Sequence, residues 1–330
     1  MNLGVIFFLL AIIAGMTMAL DIQEYASKPL PGDAGEKIIT IPAGKGFAPV
    51  LQVLQNAGLK ISPFKFRLMA MMRGDDKKIK AGEYQITPGM TPAGILEKLV
   101  SGKERLFRLT LPEGYAMAQI AQALEKNGWL IGDKFMELAR DGQFITSLGI
   151  HAETLEGYLF PDTYYFPRNV SAGKVITLMT GKFKTVFSSD WAKRAQTLGM
   201  SVHQVVILAS IIEKETGASF ERPIISSVFH NRLKLNMRLE SDPTVIYGIE
   251  NFDGNLTRKH LQTTTPYNTY KIEGLPQGPI ANPGRESIHA ALYPSDTRFL
   301  FFVSKNDGTH YFSTHVIEHN KAVEKYQKRK

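Results

Sequence analysis

Between Leu3 and Leu20 the chain runs for 18 consecutive uncharged, mostly apolar residues. At about 1.5 Å per residue, a helix of that length spans roughly 27 Å, close to the hydrocarbon core of a bilayer. The run therefore predicts one membrane-spanning helix, serving as an uncleaved anchor. A cleavable signal peptide is the competing reading, because Thr17 and Ala19 form a small-residue site before Asp21. Such a peptide carries a basic leader, however, and only Met1 and Asn2 precede this run. For the same reason flanking charge does little to orient the helix. Asp21 to Gly35, with Pro29, Pro31, Gly32 and Gly35, reads as a linker.

The rest of the 330 residues has room for two or three compact units. A formal charge of +8 suits an acidic partner: nucleic acid, anionic lipid or an anionic cell-wall polymer. No nucleic-acid module is recognisable, and the basic residues are scattered except in the tail from Lys321 to Lys330, which argues against nucleic acid. The absence of cysteine excludes disulfides, thiolate metal sites, a cysteine nucleophile and a lipoprotein anchor.

Three segments align on a glycine: Ile41–Leu54, Ile86–Leu99 and Leu111–Leu124. After Gly44, Gly89 and Gly114, each has an aliphatic residue six positions on (Val50, Ile95, Ile120) and a leucine ten positions on (Leu54, Leu99, Leu124). Each reads as a strand end, a turn and an amphipathic helix, and the irregular spacing points to small units sharing one sheet rather than a solenoid.

Further on, LEGYLFPDTYYFP (Leu155–Pro167) is dense in aromatics and carries carboxylates at Glu156 and Asp162. Sugar rings stack on aromatic faces and are oriented by carboxylates, so Glu156, Tyr158, Phe160 and Asp162 form a candidate saccharide rim, with a buried aromatic cluster as the alternative. Val205–Thr216, VVILASIIEKET, predicts a buried helix capped by Ser201 and ended by Gly217 in the left-handed conformation. It ends in two acids, Glu213 and Glu215. Glu213 shares a helix face with Ala209 and Val206. Desolvation and the negative end of a helix both favour a protonated carboxyl, so an acid placed there can hold and donate a proton at neutral pH. An arginine paired with either glutamate would work against this.

The helix is followed in order by SVFHNRL, SDPTVIYG, YNTY, GLPQGPIANPG and a late EHN. Together with ASIIEKE, this set resembles the YceG-like (MltG) family of endolytic murein transglycosylases over nearly the whole chain. The resemblance implies an α+β fold with an N-terminal transmembrane helix (1–20), a linker (21–35), a small LysM-like strand/helix module (36–128) and a C-terminal α+β catalytic domain (129–330). It implies a single catalytic acid, Glu213, which protonates the bond between MurNAc and GlcNAc and then, as base, helps close a 1,6-anhydro ring. It also implies substrate-binding roles for Asn231, Arg232, Asp242, Thr244, Tyr247, Tyr267, Asn268, Thr269, Tyr270, His319 and Asn320. The implied partners are peptidoglycan strands, the inner membrane with the catalytic domain on its periplasmic side, and nearby peptidoglycan synthases. The family usually carries glutamine where Glu240 stands. LysM modules bind glycan, but the repeats serve equally as a spacer.

Three alternatives stand beside this reading. A non-catalytic wall-binding protein would use only the repeats. A two-carboxylate muramidase would pair Glu213 with Asp242. His315, Glu318 and His319 spell the H-x-x-E-H of inverted zinc peptidases. The only third ligands on offer for that metal are Glu324, too close in sequence, and His310, while EHN accounts for Glu318, His319 and Asn320 without zinc. No metal and no cofactor is therefore expected.

Overall fold

The computed structural model describes residues 3–31 and 35–328; Met1, Asn2, Gly32 of the expected linker and the last two residues of the basic tail lie outside the described residues. The chain divides into two compact units, the first running up to Phe107 and adding Tyr165–Asn169, the second comprising Arg108–Tyr164 and everything from Val170 on.

The first unit begins with α1 (Leu3–Ser27), whose apolar window has a mean hydropathy of 2.6 and no buried residue, as a lipid-facing helix requires. The helix does not stop at Asp21. It runs through the first part of the expected linker, because Asp21–Ser27 contains no helix breaker and supplies two apolar residues, Ile22 and Ala26, that bury against the unit's core. Asp21 pairs with Lys65 at 2.7 Å, and Tyr25 Oη accepts the Ser62 N–H at 3.3 Å. Pro29 then makes helix unfavourable for the residue before it.

β1 (Lys37–Ile41), α2 (Phe47–Asn56), α3 (Pro63–Met72), β2 (Gly82–Ile86) and α4 (Pro92–Ser101) follow, with β1 and β2 antiparallel and Ile39 opposite Tyr84. Ile39 and Ile41 face inward while Ile38 and Thr40 face out, the period of two that a half-buried strand demands. Val50, Leu54, Ile95 and Leu99, the repeat positions, are all buried.

The third repeat folds differently from the expectation of one shared sheet. Its strand β3 (Phe107–Thr110) pairs with β4 (Thr163–Phe166) in a second sheet, and its helix α5 (Met117–Lys126) belongs to the second unit, burying Ile120 and Leu124 there. β4 is the TYYF of the aromatic segment, a run of strand-favouring residues that offers β3 a partner.

The second unit continues through α6 (Gly132–Leu138), α7 (Gly142–Ser147), α8 (Ala172–Val186), α9 (Ser189–Thr197), α10 (Val202–Glu215), α11 (Arg222–Lys234), α12 (Asp242–Tyr247), α13 (Arg258–Gln262), α14 (Arg285–Leu292), a hairpin of β5 (Phe301–Ser304) and β6 (His310–Ser313), and α15 (Val316–Val323). α10 is the central helix, packed on α9, α11, α12 and α14, and every residue from Val205 to Ile212 is buried. Ser201 caps it as expected: its Oγ accepts the Gln204 N–H at 3.1 Å while Gln204 Oε1 accepts the Ser201 N–H at 2.8 Å. Its C-terminal end departs from expectation. Thr216 turns the chain out in an extended conformation (φ −143°), so no left-handed Gly217 is needed.

Candidate functional site

Glu213 and Glu215 lie two residues apart at the end of α10, so they leave the helix in different directions. Glu213 follows the buried Ala209 and Val206 along one face, and its side chain is only 6% exposed. The Gly284 N–H donates to its Oε2 at 2.8 Å and Arg222 Nη2 donates to Oε1 at 3.2 Å. Arg222 reaches this point because a short turn, Ser219–Glu221, folds the chain back and α11 starts at Arg222 itself. The burial matches the sequence reading, but the surroundings are not the uncharged ones expected. A guanidinium and an amide N–H both favour the ionised carboxylate.

The same Arg222 Nη2 lies 3.6 Å from Oε2 of Glu113. Glu113 sits in a Pro-Glu-Gly turn in which Gly114 is left-handed (φ +77°), its N–H donates to the Asn282 carbonyl at 2.9 Å and its carbonyl accepts from Lys214 Nζ at 3.4 Å. A Cβ at position 284 would lie 1.9 Å from Glu113 Oε1, so a side chain there would displace the Glu113 carboxyl. Burial, then the charge of Glu213, push Glu113 above the usual carboxylate range; Arg222 opposes this and Glu286 adds to it. Glu113 and Arg222 were not singled out from the sequence. The available signals were the Pro-Glu-Gly turn and the spacing of nine residues from Glu213 to Arg222.

Glu215 faces another group. Its Oε1 accepts a short hydrogen bond from Ser241 Oγ, and burial pushes it up to about 7, with Asp242 adding to the shift and Arg232 and the Ser241 bond opposing it. The residue keeps some exposed surface, but its carboxylate is the enclosed part. Asp242 accepts from Tyr270 Oη at 2.7 Å, and Thr244 Oγ1 lies 2.8 Å from Thr269 Oγ1 and donates to the Ser241 carbonyl at 2.6 Å. Asn268 is fully buried and donates to the carbonyls of His260, Leu261 and Thr263, so it shapes its own loop. The carboxylates brought together are thus Glu213 with Glu113, and Glu215 with Asp242.

A further carboxylate, Glu156, is 2% exposed. It accepts from the Met117 N–H at 3.1 Å, Asn282 Nδ2 at 2.9 Å and Tyr247 Oη at 3.0 Å. Burial still pushes it up to about 7 against these bonds. Asn282 links it to the rest of the site, accepting the Leu159 N–H at 2.9 Å and donating to the Tyr115 carbonyl at 2.8 Å. Tyr267 meets Tyr247 edge-on with ring centroids 4.8 Å apart.

Tyr158 and Phe160 are buried as well: Tyr158 Oη lies 2.9 Å from His203 Nδ1, and the Phe160 carbonyl accepts from Tyr164 Oη at 2.6 Å. Tyr158 and His203 help line a cavity of about 530 Å³ with Phe183 and Phe187. Asp162 pairs with Lys182 at 2.9 Å, which holds it below the usual range. Asn231 and Arg232 turn away from Glu213: Asn231 Nδ2 donates to the carbonyls of Thr297 and Phe299, and Arg232 Nε to that of Leu300. Arg232 also pairs with Glu240 at 2.9 Å. His319 stacks on Phe301 with centroids 5.3 Å apart, and burial, then the charge of Arg232, push its pKa down. Asn320 is exposed on α15. His310, the expected stand-in zinc ligand, is held by Glu221 at 2.7 Å, and among the described residues no three His, Asp or Glu side chains gather around a metal-sized point.

The YceG-like family model matches residues 39–325, which takes in the whole of the Glu213, Glu215 and Glu156 network. The chain belongs to the YceG-like family. It is 34% identical over 307 residues to the endolytic murein transglycosylase of Bacillus subtilis (strain 168), covering 87% of this chain and 84% of that protein. It is 27% identical over 332 residues to the endolytic murein transglycosylase of Streptococcus pneumoniae serotype 2, covering 89% of this chain and 59% of that longer protein. A solved yceG-like protein from Listeria monocytogenes superposes with a TM-score of 0.61 at 34% identity, over 87% of this chain and 98% of that one.

Proposed function

We propose that this chain is an endolytic transglycosylase of peptidoglycan, with Glu213 as the group that first gives and then takes the proton. The observation carrying the proposal is the buried carboxylate of Glu213, fixed by the Gly284 N–H at the end of the helix that bears the family motif. In its acid form Glu213 protonates the oxygen linking MurNAc C1 to GlcNAc, and that bond breaks. The resulting carboxylate removes the proton of the C6 hydroxyl of the same MurNAc, and O6 bonds to C1 to close the 1,6-anhydro ring. The proton lost in the first step returns in the second, and no water is consumed.

Glu156 and Asn282 then support the floor of the site rather than touch glycan, while Tyr267, Tyr270 and Asp242, which keep some exposure, are assigned to the sugar. α1 holds the enzyme at the membrane with both units on the outer side, close to the synthases that make new strands. The first unit is read as the LysM-like module, gripping glycan or setting the height of the second unit.

A second reading assigns the acid to Glu215, since that carboxyl, pushed up to about 7, is the one suited to holding a proton at neutral pH. Digestion of purified glycan strands separates the two. Anhydro ends lost in Glu213→Gln and kept in Glu215→Gln support the first reading, and the reverse supports the second. Reducing ends would instead indicate a hydrolase using Glu213 and Asp242. Binding without cleavage would indicate a wall-binding protein.

A further inference from the structure

The two carboxylates around Arg222 bear on how Glu213 comes to be protonated. As the structure stands, Arg222 and the Gly284 N–H stabilise the charged form, the wrong form for donating a proton. Yet Arg222 is not fully committed to Glu213. The single Nη2 atom serves Glu213 at 3.2 Å and Glu113 at 3.6 Å, while Nε is buried with no hydrogen-bond partner. A guanidinium with an unused buried donor, lying between two acceptors, has more than one way to satisfy itself. The acceptors differ in kind: the Glu213 side chain is 6% exposed and that of Glu113 46%. Gly284 serves both, donating its N–H to Glu213 and leaving open the space that the Glu113 carboxyl occupies.

We propose that Glu113 is a positioning residue for the transglycosylase reaction: its carboxylate draws Arg222 away from Glu213, and Glu213 takes up a proton when it loses that partner. This rests on the reading of Glu213 as the acid. With Arg222 on Glu113, Glu213 keeps one amide N–H in a nearly closed setting, where burial favours the protonated form of a carboxyl. The proton comes from solvent, and returns there when Arg222 swings back. The guanidinium stays charged throughout, so what changes is which of the two carboxylates it pairs with. The upward push on Glu113 from burial and from Glu213 fits two carboxylates competing for one cation. The other charges facing the group are Glu286, on the first turn of α14, and Lys214, whose ammonium is engaged by the Gly114 carbonyl.

The test is the pH profile of anhydro-end formation by the full chain in detergent, using purified glycan strands, for wild type and three variants. Glu113→Gln removes the competing charge and leaves Arg222 on Glu213. The high-pH decline should then move to lower pH by about half a unit to one unit, and kcat should fall about tenfold with KM unchanged. Arg222→Gln should move the decline to higher pH. Gly284→Ala keeps all charges but puts a methyl where the Glu113 carboxyl lies, and should shift the decline in the same direction as Glu113→Gln. Carbon-13 carboxyl titrations, with Glu213 assigned by difference against Glu213→Gln, should show the same shifts without turnover.

A Glu113→Gln profile that superimposes on wild type, or a loss carried wholly by KM, overturns the proposal. If Glu213→Gln remains active the catalytic reading fails instead, and an unshifted Glu213 titration in Glu113→Gln would then overturn the coupling independently.

Discussion

Burial of Glu156 has a thermodynamic consequence that can be worked out. Its carboxyl pKa rises from 4.5 to about 7, and at 1.36 kcal/mol per unit the ionised form costs the folded state about 3 kcal/mol. The folded pKa lies above the unfolded one, so the folded state holds the proton more tightly. This stability is therefore fully present below about pH 4.5, and is lost as pH rises through about 7. Glu156→Gln removes the titration at nearly constant shape. Its oxygen can still accept from Met117 and Asn282, but its amide must face Tyr247, which costs about 1–2 kcal/mol. The variant should be the less stable protein at pH 5 and should match or exceed wild type at pH 8. Urea unfolding of the full chain in detergent, followed by Trp129 and Trp191, reads this directly, because both tryptophans lie in the unit that contains Glu156. Glu215 contributes a slope of the same sign, so the difference between the two curves is what isolates Glu156. Parallel stability curves from pH 5 to 8 would refute the reasoning.

Gly157→Ala should cost about 3 kcal/mol in the same assay, because Gly157 is left-handed (φ +86°) and a Cβ would lie 2.5 Å from Val206 Cγ1 and 2.7 Å from Pro279. Asn282→Ala breaks bonds to Leu159, Tyr115 and Glu156 at once and should cost about 2–4 kcal/mol, with anhydro-end formation falling as the Glu113 turn loosens. Ile22→Ala should speed amide hydrogen exchange in α3 and α4 while leaving α10 unchanged, since Ile22 packs into the core of the first unit alone.

What the sequence disclosed was governed by local chemistry. The Ser201 cap, the buried run of α10 and the repeat positions Val50, Ile95 and Ile120 each follow from a pattern within one element, and all are found. Long-range pairing was less visible. β3 and β4 lie more than fifty residues apart, and nothing in either names its partner. The aromatic segment was legible as a feature but not in its orientation: Tyr158 and Phe160 have more to gain from burial in the second unit than from an exposed rim. The setting of Glu213 was hidden because its ion partner enters from the start of another helix and its amide donor from a loop 71 residues on.

Because α1 enters the first unit without a break, the anchor and that unit turn as one piece. Each residue inserted between the apolar stretch and Ile22 would carry the unit about 1.5 Å along the helix axis and about 100° around it, relative to that stretch. A swivel-free mounting of this kind ties the direction the first unit faces to the register of the helix that carries it.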